Sequence, residues 1–274
     1  MKKEFGQSIS IPPFKGRIQS KYHHPLFIRA ISDCQRLLDD PECEILLDSR
    51  NRVGTAKLTL PDGKKVEIVI KEFHSLGVNK LKSVFLPAKA FKAWQGGNDL
   101  IERRIGTPFP VAYLESRKAL FLDKSFFMAE RLTNVEEIRS LLRELPSSEL
   151  QELLVSLVQY ISLCHRKGVL HRDLSDGNIL VRKEEDGRFR FYLIDTNRIR
   201  IKRQIGLLRS IKNLIRLGIP PDSQRFFLEQ YLSPKQLKKY FWLWYKTNKM
   251  VYSSYIEFKK KLRLKQLIRR LKIQ

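Results

Sequence analysis

The sequence predicts an α+β chain of two lobes, a small antiparallel sheet lobe followed by a larger, mostly helical lobe. Three observations carry that prediction. Between Glu44 and Phe73, alternating apolar residues are broken at Asp48-Ser49-Arg50-Asn51 and at Pro61-Asp62-Gly63, the pattern of a three-stranded meander. From Leu150, the residues Leu153, Leu154, Leu157, Val158 and Ile161 recur at the spacing of a long amphipathic helix. Beyond that helix, two short strands at Ile179 to Arg182 and Phe189 to Ile194, joined by a turn at Asp186-Gly187, deliver Asp195.

The long helix leads into His171-Arg172-Asp173-Leu174-Ser175-Asp176-Gly177-Asn178, which matches the H-R-D-L-x-x-x-N catalytic loop of kinases at every fixed position. The residue types explain the match. An Asp on a loop can accept a proton from an attacking hydroxyl. An Asn five residues on, with a second Asp at a strand end, offers two hard oxygen ligands for the Mg²⁺ that bridges nucleotide phosphates. Asp173 is therefore the expected base, and Asn178 and Asp195 the expected metal ligands. Lys71 ends the alternating run Val66 to Ile70, like the strand lysine that holds the α- and β-phosphates of ATP. The order Lys, helix, H-R-D, N, D is that of a two-lobed protein-kinase-like fold.

Length and composition fit that expectation. A chain of 274 residues can bury a substantial core, as one two-lobed domain or as two small ones. Its net charge of +24 implies an anionic partner or surface: nucleic acid, phospholipid headgroups or a phosphorylated glycan. Cys34, Cys43 and Cys164 are spaced for neither a zinc site nor a disulfide framework and read as thiols of a reducing compartment. Met1-Lys2-Lys3 is not followed by the apolar stretch of a signal peptide, and no run reaches the length of a membrane span. The expected location is the cytoplasm, peripheral to a membrane face.

In chain order, residues 1–43 read as an N-terminal extension, with a short helical pattern from Leu26 to Leu38. His23 and His24 lack a spaced partner and read as solvent-facing or capping rather than as metal ligands. Residues 44–132 form the sheet lobe. Its first turn holds only Gly54 where a phosphate-covering loop is glycine-rich, so Ser49, Arg50 and Asn51 are either nucleotide contacts or a plain surface turn. A helix follows at Ala88 to Ile101. A kinase places there a glutamate that orients the strand lysine, and no Glu lies between Phe73 and Ile101. Lys71 is left to Asp99, to Glu102, or to Asp195 and the phosphates alone.

After the break at Gly106-Thr107-Pro108-Phe109-Pro110, strands are expected at Val111 to Glu115, Ala119 to Leu122 and Phe126 to Glu130. The last leads into the hinge, where the backbone from Glu130 to Leu132 is placed to bind the adenine edge. Residues 133–245 form the helical lobe, with a helix from about Asn134 to Glu144. Ser148 and Gln151, in capping-box spacing, start the long helix, and Gly168 suits its end. His165, near that end, reads as a cap or core residue.

After Asp195 the chain runs Thr196-Asn197-Arg198-Ile199-Arg200-Ile201-Lys202-Arg203 into a helical pattern at Leu207, Leu208, Ile211, Leu214 and Ile215. There is no A-P-E anchor and no room for a peptide platform. The four bases suit an acceptor carrying phosphate or carboxylate. From Asp222 the chain is helical and aromatic, with Ser233-Pro234 as a cap. Residues 246–274 form a basic amphipathic helix whose Leu264, Leu267, Ile268 and Leu271 make an apolar stripe. It either lies on an anionic membrane or packs on the fold with its charges solvated.

Together, Ile70-Lys71-Glu72-Phe73, Ile105-Gly106-Thr107-Pro108-Phe109-Pro110, His171 to Leu174 with Asn178-Ile179-Leu180, and Leu193-Ile194-Asp195-Thr196-Asn197-Arg198 resemble the bacterial lipopolysaccharide core kinases, which phosphorylate heptose or 3-deoxy-octulosonic acid (Kdo) of the inner core. The resemblance covers roughly residues 44 to 245. Its specific elements are Thr-Pro-x-Pro and Asp-Thr-Asn-Arg in place of Asp-Phe-Gly. It implies ATP with Mg²⁺, a lipid-anchored lipopolysaccharide precursor as acceptor, and the anionic inner-membrane surface as workplace. It also implies Asp173 as base, Asn178 and Asp195 as metal ligands and Lys71 on the phosphates. The rival readings are a protein Ser/Thr kinase, against which the short segment after Asp195 speaks, and a non-catalytic kinase-like scaffold on membrane or nucleic acid. Nucleic acid is the poorer partner, because no aromatic RNA-binding motif is present.

Overall fold

The computed structural model describes residues 5–49, 51–74, 83–232 and 239–271, with side chains as far as residue 262. The chain divides into two compact units. The first takes the chain up to Val135 together with Leu180–Arg200; the second takes Glu136–Ile179 and the chain from Ile201 onward.

The first unit is built on one antiparallel sheet. Its elements are β1 (Gln7–Ile11), β2 (Phe14–Ile18), α1 (Pro25–Ile31), α2 (Cys34–Asp39), β3 (Ile45–Asp48), β4 (Asn51–Thr59), β5 (Lys65–Phe73), α3 (Lys89–Glu102), β6 (Pro110–Lys118) and β7 (Phe121–Glu130). The seven strands lie in the order β1-β2-β6-β7-β5-β4-β3. The meander β3-β4-β5 is where the turn chemistry places it, with Gly63 at φ +79° closing its second turn. Phe27, Ile31 and Leu38 from α1 and α2 pack with Ile68, Ile70, Leu114, Phe126 and Met128 of the sheet. Ala90 and Ala93 of α3 pack with Phe73, Tyr113 and Phe127.

Two expectations are corrected here. Residues 1–43 are not an extension: they supply two strands and two helices of this core. Their strands are short and mostly polar, and Gly16 in β2 escapes notice because its role is a close approach, with a Cβ there falling 1.9 Å from the Tyr113 carbonyl oxygen. The three strands expected between Val111 and Glu130 are two long ones. The polar run Asp123-Lys124-Ser125 imitates a turn but continues β7, with Lys124 N–H donating to Ser116 Oγ (3.2 Å). The reversal comes earlier, at Ala119, whose φ is +53°.

The chain then passes through β8 (Glu136–Glu137), α4 (Ile138–Glu144), α5 (Ser147–Arg166) and β9 (Val169–His171), returns to the first unit through β10 (Ile179–Lys183) and β11 (Phe189–Leu193), and continues as β12 (Ile199–Ile201), α6 (Leu207–Leu214), α7 (Gln224–Leu232) and α8 (Lys239–Leu271). The helix expected from Asn134 begins at Ile138 instead, because Asn134 takes a left-handed turn at φ +54°. In the second unit α5 buries Leu153, Leu154, Leu157, Val158 and Ile161, as its periodicity predicts. It starts at Ser147 without a side-chain cap, so the expected Ser148 capping box is not used. Gly168 ends it at φ +72°, where a Cβ would meet the Lys202 carbonyl oxygen at 2.0 Å.

Helix α8 begins at Lys239, earlier than expected, and is anchored by buried Phe241 and Tyr245. Ser233-Pro234 and the side chains of Leu264, Leu267, Ile268 and Leu271 lie outside the described residues. Among the described residues, no helix is long and apolar enough to cross a membrane. The three cysteines are free thiols; burial pushes Cys164 up to about 12, which removes it as a nucleophile.

Candidate active site

In the first unit, β5 places Lys71 between Val53 of β4 and Phe127 of β7. Its ammonium meets Asp195 Oδ1 at 2.6 Å and lies 5.2 Å from the centre of the Phe73 ring. Of the partners weighed for this lysine, the structure therefore provides Asp195. Asp99 and Glu102 face Arg103 instead, at 3.7 and 3.8 Å, and burial raises the Asp99 carboxyl above its usual range.

Asp195 is held from several directions. Strand β11 carries the chain to it and is clasped by the Gly-Thr of the Gly106–Pro110 break. Leu193 N–H donates to the Gly106 carbonyl (2.9 Å), and Thr107 Oγ1 donates to the Leu193 carbonyl (2.8 Å). A side chain at Gly106 would put a Cβ 2.2 Å from the Phe191 carbonyl oxygen, which explains the glycine. Asp195 itself is left-handed, at φ +55°, a conformation that Asp tolerates when its side chain is bonded locally.

The three residues that follow supply those local bonds and fix the turn. Thr196 Oγ1 donates to the Ala93 carbonyl of α3 (2.8 Å). Asn197, with its amide nitrogen turned toward Asp195, donates to Oδ1 (2.8 Å) and to the carbonyl oxygen (3.1 Å). Arg198 Nε lies 3.7 Å from Oδ2. The run Asp-Thr-Asn-Arg is thus a self-bonded turn that aims one carboxylate.

Helix α3 docks directly on this turn. A Cβ at Gly96 would lie 2.1 Å from the Thr196 carbonyl oxygen, and one at Gly97 would lie 2.7 Å from Pro110 Cγ. Gly96→Ala is expected to destabilise the protein. Overpacking against backbone costs about 3 kcal/mol at the upper end of its usual range. The better helix propensity of alanine returns about 1 kcal/mol, leaving a net loss of about 2 kcal/mol. Urea denaturation of the variant beside the wild type measures it.

At the hinge, the Glu130 N–H donates to Phe109 (2.8 Å) and the Arg131 N–H to Glu67 (2.9 Å), so both amides are engaged in the sheet. The Glu130 carboxylate accepts from Tyr22 Oη and from Lys21 Nζ (3.1 Å). Among the described residues the Leu132 amide has no backbone partner. In the turn before β4, Ser49 N–H donates to the Asn51 carbonyl (3.2 Å), and Arg50 lies outside the described residues.

In the second unit, β9 delivers the H-R-D loop. His171 is buried; its Nδ1 accepts from the Asp173 N–H (3.2 Å), and its carbonyl accepts from Asn213 Nδ2 (2.8 Å). Because Asn213 uses its nitrogen there, its Oδ1 accepts from His165 Nε2 (3.1 Å), and His165 Nδ1 accepts from Tyr231 Oη (2.6 Å). Burial lowers the His165 pKa and keeps the ring neutral, as this pattern requires. His165 is a core residue that holds the loop, and His24 caps α1.

The Asp173 carbonyl accepts from Ser175 N–H (2.8 Å) and from Asn178 Nδ2 (2.8 Å), so the Asn178 amide uses its nitrogen there. Asp176 is tied to Arg139 Nε (3.2 Å) and is structural. The Asp173 carboxylate pairs through Oδ1 with Arg216 Nη1. Asn197, Asn213 and Arg216 contact Asp195, His171 and Asp173 and are not assigned by the sequence reading. Asn197 was legible as part of the Asp-Thr-Asn-Arg run. The other two lie 42 and 43 residues from the loop residues they contact, with no spacing to mark them.

Asn178 Oδ1 and the Asp195 carboxylate are hard oxygen donors that suit Mg²⁺. Asn178 belongs to the second unit and Asp195 to the first, and among the described residues no group of three or more His, Cys, Asp or Glu is placed to hold a metal.

Residues 74–220, just over half of the chain, match the model of the Lipopolysaccharide kinase (Kdo/WaaP) family. No curated protein sequence matches the chain. Among solved structures, WaaP in complex with acyl carrier protein is similar, with a TM-score of 0.52 and 21% identity over 76% of this chain and 86% of that one. At that identity the likeness is one of fold, a protein-kinase-like fold.

Proposed function

This chain belongs to the lipopolysaccharide kinase (Kdo/WaaP) family, and we propose that it transfers the γ-phosphoryl group of ATP to a hydroxyl of Kdo or heptose in the lipopolysaccharide inner core. The observation that carries the assignment of roles is the pairing of Lys71 with Asp195 at 2.6 Å on a turn built to aim that carboxylate. Lys71 holds the α- and β-phosphates, and the Leu132 amide meets the adenine edge. Asp173 accepts the proton of the acceptor hydroxyl as its oxygen bonds to phosphorus and the bond to the β-phosphate bridging oxygen breaks. Asn178 and Asp195 would hold Mg²⁺, which neutralises charge on the phosphates. Phosphoryl transfer asks for positioning and charge neutralisation more than covalent chemistry, and these side chains supply both.

The acceptor is a membrane lipid, and α8 suits its surface. Leu243, Val251, Tyr255, Phe258 and Leu262 are exposed along one side of it, flanked by exposed Lys246, Lys259, Lys260 and Lys261. A basic residue near an anionic leaflet contributes about 1 kcal/mol, so this helix holds the enzyme reversibly on the inner membrane. Co-sedimentation with anionic vesicles is expected to fall to the level of neutral vesicles when Lys259, Lys260 and Lys261 are changed to Glu. Transfer to detergent-dispersed acceptor should stay unchanged. Mass spectrometry of Kdo-only and heptose-containing acceptors after incubation with Mg-ATP identifies the sugar, and phosphate on neither would refute the proposal.

A further inference from the structure

We propose that Arg216 is a positioning residue for the catalytic base and that the long C-terminal helix holds it in place. The inference rests on Asp173 being that base. The Asp173 N–H donates to His171 Nδ1, and the bonds from Ser175 and Asn178 reach only the Asp173 carbonyl oxygen. None of them orients the carboxylate. Among the described residues, that task falls to the Arg216 guanidinium, which engages Oδ1. A carboxylate base needs one oxygen aimed at the acceptor hydroxyl; with Oδ1 held, Oδ2 is the one presented.

Arg216 is in turn held by α8. It lies on the segment after α6, between buried Ile215 and Leu217. Lys249 Nζ donates to the carbonyls of both neighbours, at 3.1 Å to Ile215 and 2.6 Å to Leu217. The Tyr252 ring lies 5.3 Å from the guanidinium carbon. Lys249 and Tyr252 are three residues apart and so share a face of the helix. On the far side of the segment, a Cβ at Gly218 would come within 2.6 Å of Asp176 Oδ2, so the strand of chain bearing Arg216 is packed closely against the catalytic loop as well. One helix thus fixes the backbone on both sides of Arg216 and the guanidinium itself.

The rival explanation is an ordinary ion pair. With side chains 37% and 34% exposed, such a pair contributes little to stability, so removing it should leave folding unaffected. Kinetics separate the two. Misplacing a reacting group by about 1 Å costs on the order of 10²-fold. Arg216→Ala is therefore expected to lower kcat by roughly 10- to 100-fold, with KM for ATP and the melting temperature unchanged. Arg216→Lys should recover part of the loss, and Tyr252→Ala should show a smaller loss of the same kind. Asp173→Ala/Arg216→Ala should be no slower than Asp173→Ala alone, because Arg216 acts through the carboxylate. Wild-type kcat in Arg216→Ala, a change confined to KM for the acceptor, or losses that multiply in the double variant would each overturn the positioning role. Full activity of Asp173→Ala would instead strike the base assignment itself.

Discussion

Asp195→Ala is expected to abolish phosphoryl transfer and to leave nucleotide binding indifferent to Mg²⁺. The carboxylate is the charged metal ligand of the proposed site, and a metal at a reacting phosphoryl group contributes several kcal/mol. At about 1.4 kcal/mol per tenfold, that is a loss on the order of 10³-fold or more. The substitution also leaves the Lys71 ammonium, the Asn197 amide and Arg198 without the group they face. Lys71 and Asp195 are only 22% and 21% exposed and Asn197 is buried, so Asp195→Ala also loses folding stability, and its melting temperature is read beside its activity. Asp195→Asn is the milder control: it preserves shape and an acceptor for Asn197 but removes the charge. Titration of ATP by calorimetry with and without Mg²⁺ reads the effect, and a metal-dependent affinity equal to that of the wild type would remove Asp195 from the metal site.

Asp173→Asn should show the complementary loss. A general base contributes about 10² to 10⁴ in rate, and Asn cannot take a proton, so transfer should fall by that factor. The Asn side chain still offers an oxygen to Arg216, and the backbone bonds to His171, Ser175 and Asn178 are untouched. Binding of Mg-ATP and the melting temperature should therefore match the wild type. One variant loses the nucleotide's metal and the other only the chemistry. That contrast is the kinetic signature of a kinase and is not expected of a non-catalytic scaffold.

The residues of the proposed site stand out in the sequence because each answers to a local demand. Asp173 and Asn178 share one loop whose bonds fix their spacing, and Lys71 lies near the end of β5 and Asp195 two residues past β11, strands recognisable by alternation. The family was legible for a related reason. Gly106-Thr107 and Thr196-Asn197-Arg198 are not decoration around the motif but the groups that clasp β11 and hold the Asp195 turn.

What escaped notice depends on contacts between distant segments. The partner of Lys71 could not be chosen from sequence, because the expected helix carries no glutamate before Glu102 and presents glycines to Thr196 and Pro110 instead. Arg216 reaches Asp173 across 43 residues that include three strands and one helix, and no spacing rule points to it. Strands β1 and β2 were hidden by their polarity, and the long β7 by a polar run that resembles a turn. Periodicity reports which face of an element is buried; it does not report which distant backbone that face will meet.

The most direct measurement is transfer of labelled γ-phosphate from Mg-ATP to purified inner-core lipopolysaccharide, with the wild-type chain and Asp173→Asn side by side. The account predicts label on the sugar with the wild type and its loss, by a factor on the order of 10² or more, in the variant. Equal labelling by both would contradict it, as would a wild-type chain that binds ATP yet leaves every inner-core acceptor unlabelled.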